Sequence, residues 1–219
     1  MKKPFVIIPA FNEEKHIAKV VNEIKKYSKN IVVVDDGSKD KTYQEAKKTK
    51  VIVLRHPINL GKGAALKTGI EYAGKHGADT IIFIDSDGQH NPKDLPRLLN
   101  ELKNIDVVFT YRNLKSMNMP LIKKIGNFVL NTLLSILFNI RIKDTQCGFK
   151  AMTTDAYKKL GLISSDYNIE SEIAAKTGKH KLKFKQLPIE TVYNDKYKGT
   201  TVFDGINIAM RMLWWKLSK

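Results

Sequence analysis

Five short runs rich in β-branched residues, at 5–8, 31–34, 51–54, 80–84 and 106–110, alternate with helix-like stretches near 13–27, 40–49, 62–76 and 92–103. Strands alternating with helices of this length form βαβ units, whose right-handed crossovers build a mostly parallel sheet. The runs are continuously apolar, as strands are when helices cover both faces. Punctuation agrees: Pro92 suits a first helical turn after Asn91, and Asp40 can cap the helix that follows Gly37 and Ser38. A chain of 219 residues can bury a sizeable core in one such α/β domain.

Sheets of this kind bind ligands beyond the carboxyl ends of their strands. The residues there run from Pro9 to Glu14, Asp35 to Ser38, His56 to Gly63 and Asp85 to Gln89, with Tyr111 and Arg112 after the fifth run. If the chain stays extended past residue 84, Asp85, Asp87 and Gln89 project from one side, because strand side chains alternate with period two. Three oxygen donors on one face suit a hard divalent cation, Mg2+ or Mn2+, with water and substrate phosphate completing its shell. Asp35 and Asp36 adjoin at the same edge and cannot both fit tightly against one ligand; neither ranks above the other. Gly61-Lys62-Gly63 either presents backbone N–H groups and an ammonium to phosphate or simply starts a helix. It is neither a Walker A loop nor a dinucleotide fingerprint, so nicotinamide chemistry has no support.

Arg112 should emerge at the ligand edge, in reach of phosphate. His90 reads as a packing or hydrogen-bonding residue and Cys147 as a small buried one. Glu170 and Glu172 fall on a helix that can approach the site, and at least one of them reads as a solvated glutamate.

The formal net charge is +16, with Lys and Arg spread along the whole chain. A broad positive surface favours phosphates, whether on nucleic acid, anionic lipid or a nucleotide substrate. No helix-turn-helix, RNP-like or KH loop motif is visible, and an acidic ligand edge repels a phosphate backbone, so nucleic acid is not an expected partner. A basic nucleic-acid-binding protein stays the rival from another class. The single Cys147 excludes an intrachain disulfide and a cysteine-based zinc site, and the five histidines have no metal-ligand spacing. A reducing, cytoplasmic setting is expected.

The blocks Val6 to Glu14, Val32 to Ser38, Asn59 to Leu66, Asp85 to His90 and Asp144 to Lys150, in this order, resemble the nucleotide-sugar-dependent glycosyltransferases of family 2, which have the GT-A fold. Within that family they resemble the dolichyl-phosphate mannose and glucose synthases. The resemblance implies a GT-A-like catalytic domain over 1–200, with a nucleotide-sugar-binding half at 1–112 and an acceptor half at 113–200. It implies that Pro9, Phe11 and Glu13 border the base and ribose, with Asp35 and Asp36 beside the base. Gly61, Lys62 and Ser86 would join the donor site. Asp85, Asp87 and Gln89 would hold the cation that bridges the donor diphosphate, and Asp87 and Arg112 would carry the catalysis, Arg112 by neutralising phosphate. Phe11 stands where Tyr is frequent, which keeps stacking and loses a hydroxyl contact. Relatives often grip the acceptor phosphate with an Arg and a Ser-Lys pair late in the chain; here the cationic candidates are Lys196 and Lys198.

The implied reaction is inverting transfer of a hexose from a nucleotide sugar to a polyprenyl phosphate, with GDP-mannose favoured and UDP-glucose next. A polysaccharide or glycan acceptor is the alternative, and it would require a base at the acceptor hydroxyl.

Residues 120–142 are mostly apolar, but Asn127, Asn131, Ser135 and Asn139 recur every four residues. That spacing makes an amphipathic helix over 120–140 rather than a bilayer span. Flanked by Lys123, Lys124, Arg141 and Lys143, it either lies in the headgroup plane or packs on the domain's own core. A second amphipathic helix is expected over 201–219, where Trp214 and Trp215 suit a water–lipid boundary. The expectation is a peripheral protein on the cytoplasmic leaflet of the cell membrane, held by anionic lipid or by a membrane-protein partner.

Overall fold

Each of the five apolar runs becomes a strand: β1 (Pro4–Ala10), β2 (Ile31–Asp35), β3 (Ile52–Arg55), β4 (Thr80–Phe83) and β5 (Val107–Arg112). The helices between them are α1 (Ile17–Ile24), α2 (Thr42–Lys48), α3 (Lys62–Lys75) and α4 (Leu95–Glu101), the last entered through a 3-10 turn at Pro92–Asp94. There follow α5 (Leu121–Phe138), β6 (Lys150–Thr153), α6 (Thr154–Leu160), α7 (Ile169–Lys179), β7 (Phe184–Ile189) and α8 (Val202–Leu217). This computed structural model describes residues 3–112, 121–190 and 202–217, without the side chains of 121–125, 127 and 202–206. Lys196 and Lys198, the candidate acceptor cations, lie outside the described residues.

The seven strands form one sheet in the order β3-β2-β1-β4-β6-β5-β7. All neighbours are parallel except β6, which runs antiparallel to both β4 and β5. Its register puts Lys150 opposite Phe83 on β4 and Phe109 on β5. The chain therefore enters β6 at the edge where β4 and β5 end.

Alternation along the strands feeds two apolar layers. Ile7, Val32, Val34, Ile81, Phe83 and Phe109 face α3 and α5–α8, while Val6, Ile8, Val33, Ile82 and Val108 face α1 and α4. Helix α1 shows why the second layer closes: Ile17, Val20, Val21 and Ile24 repeat at three- and four-residue steps and are all buried. Each such side chain contributes about 1.5–3 kcal/mol of burial.

Two local expectations are corrected. Helix α2 has Lys41 at its cap position; Asp40, one residue earlier, accepts the Thr42 N–H at 2.9 Å. In α5 the described positions of the four-residue polar repeat, Asn131 and Ser135, are half-buried rather than on a solvent face. Asn131 is half-buried and its amide donates to the Lys143 carbonyl at 3.2 Å, and Asn139 lies beyond the helix with φ +52°. Leu130, Leu134 and Phe138 are buried in the core, which is the packing alternative for this helix. Yet Phe128 and Ile136 are 71% and 74% exposed, so α5 is apolar on its outer side too. Its neighbour α8 repeats the arrangement, burying Ile208, Met212 and Trp215 while exposing Met210, Leu213, Trp214 and Leu217. Among the described residues no helix is long and apolar enough to cross a membrane.

Candidate active site

The loops at the carboxyl ends of β1 and β2 are stitched to each other. Asn12, in the left-handed region at φ +55°, donates its N–H to Ser38 Oγ at 2.9 Å and accepts the Lys39 N–H at 3.0 Å. Asn tolerates that conformation because its short polar side chain bonds locally. Glu13 N–H donates to Thr42 Oγ1 at 2.7 Å.

The adjacent carboxylates of Asp35 and Asp36 do different work. Asp35 is fully buried; it accepts the Ser38 N–H at 3.2 Å and lies 3.0 Å from Arg55 Nε. Asp36 Oδ1 accepts from His56 Nδ1 at 2.7 Å and the Leu60 N–H at 3.0 Å, while Oδ2 accepts the Gly61 N–H at 2.8 Å. Asp36 thus shapes the loop leading into α3 and lies on the wall of a cavity of about 480 Å3.

At the start of α3 the glycines serve close packing. A Cβ on Gly61 or Gly63 would come within 2.5 Å of the Ser165 or Ser164 carbonyl. The Ser165 carbonyl also takes the Ala64 N–H at 2.9 Å, so the amides of residues 61 and 64 already have partners. What α3 sends into the cavity is the Lys62 ammonium. It lies 2.6 Å from Asp85 Oδ1 and 2.5 Å from Glu170 Oε1.

The segment after β4 is not extended. It turns at Ser86 and Asp87, with Gly88 at φ +74°, a conformation open to glycine at no steric cost. The turn, not strand alternation, brings Asp85, Asp87 and Gln89 to the cavity. Burial raises the Asp85 carboxyl, but the Lys62 ammonium and His90 outweigh it and hold the group well below the usual carboxylate range. Burial, and then the charge of Asp85, push Asp87 upward. Burial disfavours the Lys62 ammonium, and Asp85 and Glu170 overcome that, raising its pKa.

The loop entering β6 completes the wall. Asp144 is buried and holds Arg112 in a fork, accepting from Nε at 2.7 Å and from the second guanidinium nitrogen at 3.1 Å. Arg112, expected at the ligand edge, lies on the cavity wall with its orientation set by that carboxylate. The backbone of Gly148 packs against Asp85: a Cβ there would sit 2.0 Å from Asp85 Oδ2. Cys147 is buried, and burial pushes its thiol up to about 11. The buried Lys150 ammonium donates to the carbonyls of Thr145 and Cys147, pinning the loop from below.

Neither glutamate of α7 is solvated. Glu170 holds Lys62, and Glu172 accepts the N–H groups of Ile163 and Ser164 at 2.9 and 2.8 Å and pairs with Lys176. Residues 169–175 are buried one after another, so the start of the helix is enclosed on all sides and both carboxylates lie inside.

The cavity is lined by Pro9, Phe11, Glu13, Asp36, Gly61, Lys62, Asp85, Ser86, Asp87, Gln89 and Arg112, so all the expected donor-site residues except Asp35 share it. Gln146, Gly148, Tyr167 and Glu170 also line it, and sequence reasoning gave them no donor-site role. Gln146 and Gly148 lie in the block Asp144 to Lys150, which was the available signal.

Two carboxylates and an amide oxygen are the partial shell that Mg2+ or Mn2+ takes when water and phosphate complete it. Among the described residues no three His, Cys, Asp or Glu side chains form a metal cluster, so the shell would need those outside oxygens. The fit is electrostatic as well: Asp87 accepts the Gln89 N–H at 3.0 Å, and burial, then the charge of Asp85, raises its carboxyl, a cost that a bound cation would relieve.

Residues 5–161 match the family model described as glycosyl transferase family 2. The chain is 36% identical over 242 residues to the UDP-N-acetylglucosamine–dolichyl-phosphate N-acetylglucosaminyltransferase of Methanococcus voltae, covering 98% of this chain and 96% of that one. It is 30% identical over 234 residues to the dolichol-phosphate mannosyltransferase of Pyrococcus furiosus, covering 98% of this chain and 64% of that one. Glucosyl-3-phosphoglycerate synthase from Mycobacterium tuberculosis, solved with Mn2+, UDP and glucosyl-3-phosphoglycerate, shares the fold with a TM-score of 0.74 at 20% identity, over 98% of this chain and 80% of that one. A GT-A sheet with its acids gathered beyond β4, together with these likenesses, places the chain in glycosyl transferase family 2, as a glycosyltransferase.

Proposed function

We propose that this glycosyltransferase moves a sugar from a nucleotide sugar to a polyprenyl phosphate, with inversion, at an anionic membrane surface and with a divalent cation. The observation that carries the reading is the placement of Asp85 and Asp87 beside Lys62 and Arg112 in one cavity at the carboxyl edge of the sheet. Its volume of about 480 Å3 falls within the range of small-ligand sites. The Methanococcus and Pyrococcus relatives are both named for dolichyl phosphate acceptors, which supports the acceptor class. Their names divide on the sugar. The sugar of the expected GDP-mannose donor, though not its base, has the Pyrococcus name behind it; the higher identity and fuller coverage of the Methanococcus relative favour UDP-N-acetylglucosamine, and we place that donor first.

In this mechanism the chain's own residues mainly bind and orient. Phe11, exposed at the cavity wall, offers a ring for a base to stack on. A divalent cation held by Asp85, Asp87 and Gln89 would neutralise the departing diphosphate. Lys62 and Arg112 bring positive charge to the same wall. A phosphate acceptor has a second pKa of about 6 and arrives largely ionised, so attack on the anomeric carbon needs no strong base. That agrees with Glu170 and Glu172 being committed to Lys62 and to backbone amides.

Radiolabelled UDP-N-acetylglucosamine, UDP-glucose and GDP-mannose, each incubated with polyprenyl phosphate and Mn2+, should yield a lipid-extractable product from one donor. Label found solely in water-soluble glycan would reject the acceptor class. Thermal-shift measurements with the same donors should show stabilisation by that donor when Mn2+ is present.

The outer sides of α5 and α8 supply the membrane part of the proposal. Phe128, Ile136, Leu213 and Trp214 are exposed on paired helices of a chain with net charge +16. Such a face suits the headgroup boundary of anionic lipid. Flotation with phosphatidylserine liposomes at low salt should carry the protein upward, and Ile136→Glu with Trp214→Glu should leave it at the bottom. Equal flotation of the double variant would remove this face from the proposal.

A further inference from the structure

Asp85 is held by the protein itself, most closely at one carboxylate oxygen. Oδ1 is 2.6 Å from the Lys62 ammonium, and Oδ2 faces His90 Nε2 at 3.5 Å and the backbone of Gly148. Lys62 is in turn 2.5 Å from Glu170 Oε1, and both side chains are nearly buried. A divalent ion bonds carboxylate oxygen at about 2.0–2.2 Å. It cannot take Oδ1 while an ammonium sits there, because two cations would then crowd one oxygen in a low-dielectric site. Glu170 gives the ammonium somewhere to stay when it leaves Asp85.

We propose that Lys62 is a resident counter-ion that a divalent cation must displace from Asp85, so that cation and nucleotide bind cooperatively, with Glu170 as the residue that positions the displaced ammonium. The inference rests on the proposed cation site. The ion takes Asp85, and Lys62, still tethered to Glu170, turns its charge to the incoming diphosphate. Each ligand removes a cost the other would bear alone, and the coupling is equal in both directions.

The test is a titration of the full chain with Mn2+, free ion read by electron paramagnetic resonance, with and without UDP. The wild type should bind Mn2+ weakly alone and much more tightly with UDP. Lys62→Met with Glu170→Gln removes one positive and one negative charge, leaving the net charge of the cavity unchanged while freeing Asp85. This double variant should bind Mn2+ alone about tenfold tighter than wild type, with the enhancement by UDP reduced by a similar factor. Glu170→Gln by itself leaves the ammonium wholly to Asp85 and should weaken Mn2+ binding severalfold.

A double variant that binds Mn2+ no tighter than wild type overturns the proposal. If it does not fold by thermal melting, Glu170→Gln decides, and unchanged or tighter Mn2+ binding there overturns it. Mn2+ binding in wild type with UDP, alike in the double variant, removes the role of Lys62 and keeps the cation site. No Mn2+ binding to wild type even with UDP sinks both.

Discussion

Asp87→Ala is expected to lower sugar transfer by about three orders of magnitude, about 4 kcal/mol of transition-state stabilisation, with the fold intact. Asp87 is the carboxylate of the acidic turn to which the described residues offer no ion pair, so its charge awaits a ligand. Burial and the neighbouring Asp85 hold its carboxyl above the ordinary range. The folded state therefore binds the Asp87 proton more tightly than the unfolded state does. Stability is then lost as pH rises from the ordinary carboxylate range through the raised value, and the whole cost is present above it. Asp87→Asn should accordingly raise the melting temperature at neutral pH, and the gain should vanish in acid. Asp85 has the opposite sign: its carboxyl is depressed, so its contribution is present above the unfolded value and is lost as pH falls through the folded one. Full transfer by Asp87→Ala, or by wild type in excess chelator, would falsify the cation-dependent mechanism.

Gly148→Ala should be nearly as damaging, from one methyl group. The added carbon would stand 2.0 Å from Asp85 Oδ2 and 2.5 Å from the carboxyl carbon, closer than any real contact. The carboxylate cannot simply yield, because Lys62 and His90 hold it from other sides. Either Asp85 swings off Lys62 or the loop lifts from β4. Overpacking of this kind costs about 1–3 kcal/mol of stability, or about 2–4 °C of melting temperature per kcal/mol for a chain of this size. Transfer should fall about a hundredfold, because a displacement of about 1 Å at a reacting centre costs that much. Wild-type turnover with an unchanged melting temperature would show that the Gly148 contact does not position Asp85.

Much of this arrangement could be read from the chain, and what could not is of one kind. The strands β1 to β5 and their helices were legible because each is a local apolar run with turn residues at its ends. The cavity residues Pro9, Asp36, Asp85 and Arg112 were legible because they follow those runs, where a parallel sheet exposes its ligands. Strand β6 was not. It is four residues long and opens on a buried lysine, so neither alternation nor an apolar run marks it. That neither Glu170 nor Glu172 is solvated could not be read, because Lys62, the partner of Glu170, is 108 residues away. The misfit between Gly148 and any side chain larger than hydrogen is likewise a contact between distant segments. The acidic turn was found through its composition, although the strand-like geometry assumed for it was wrong, Gly88 having bent the backbone.

The antiparallel β6 has a consequence for anyone cutting this chain. β4 and β5 follow one another in sequence yet never touch; the slot between them is filled by a segment that comes later. A fragment stopping at residue 112 would leave the edge of β4 bare and β5 without either of its neighbours, β6 and β7, the kind of surface that recruits other chains into aggregates. Supplying residues 121–190 as a separate piece should rescue solubility by placing β6 between β4 and β5 and β7 beyond β5, whereas alone the first piece lacks two of the seven strands and the second lacks five.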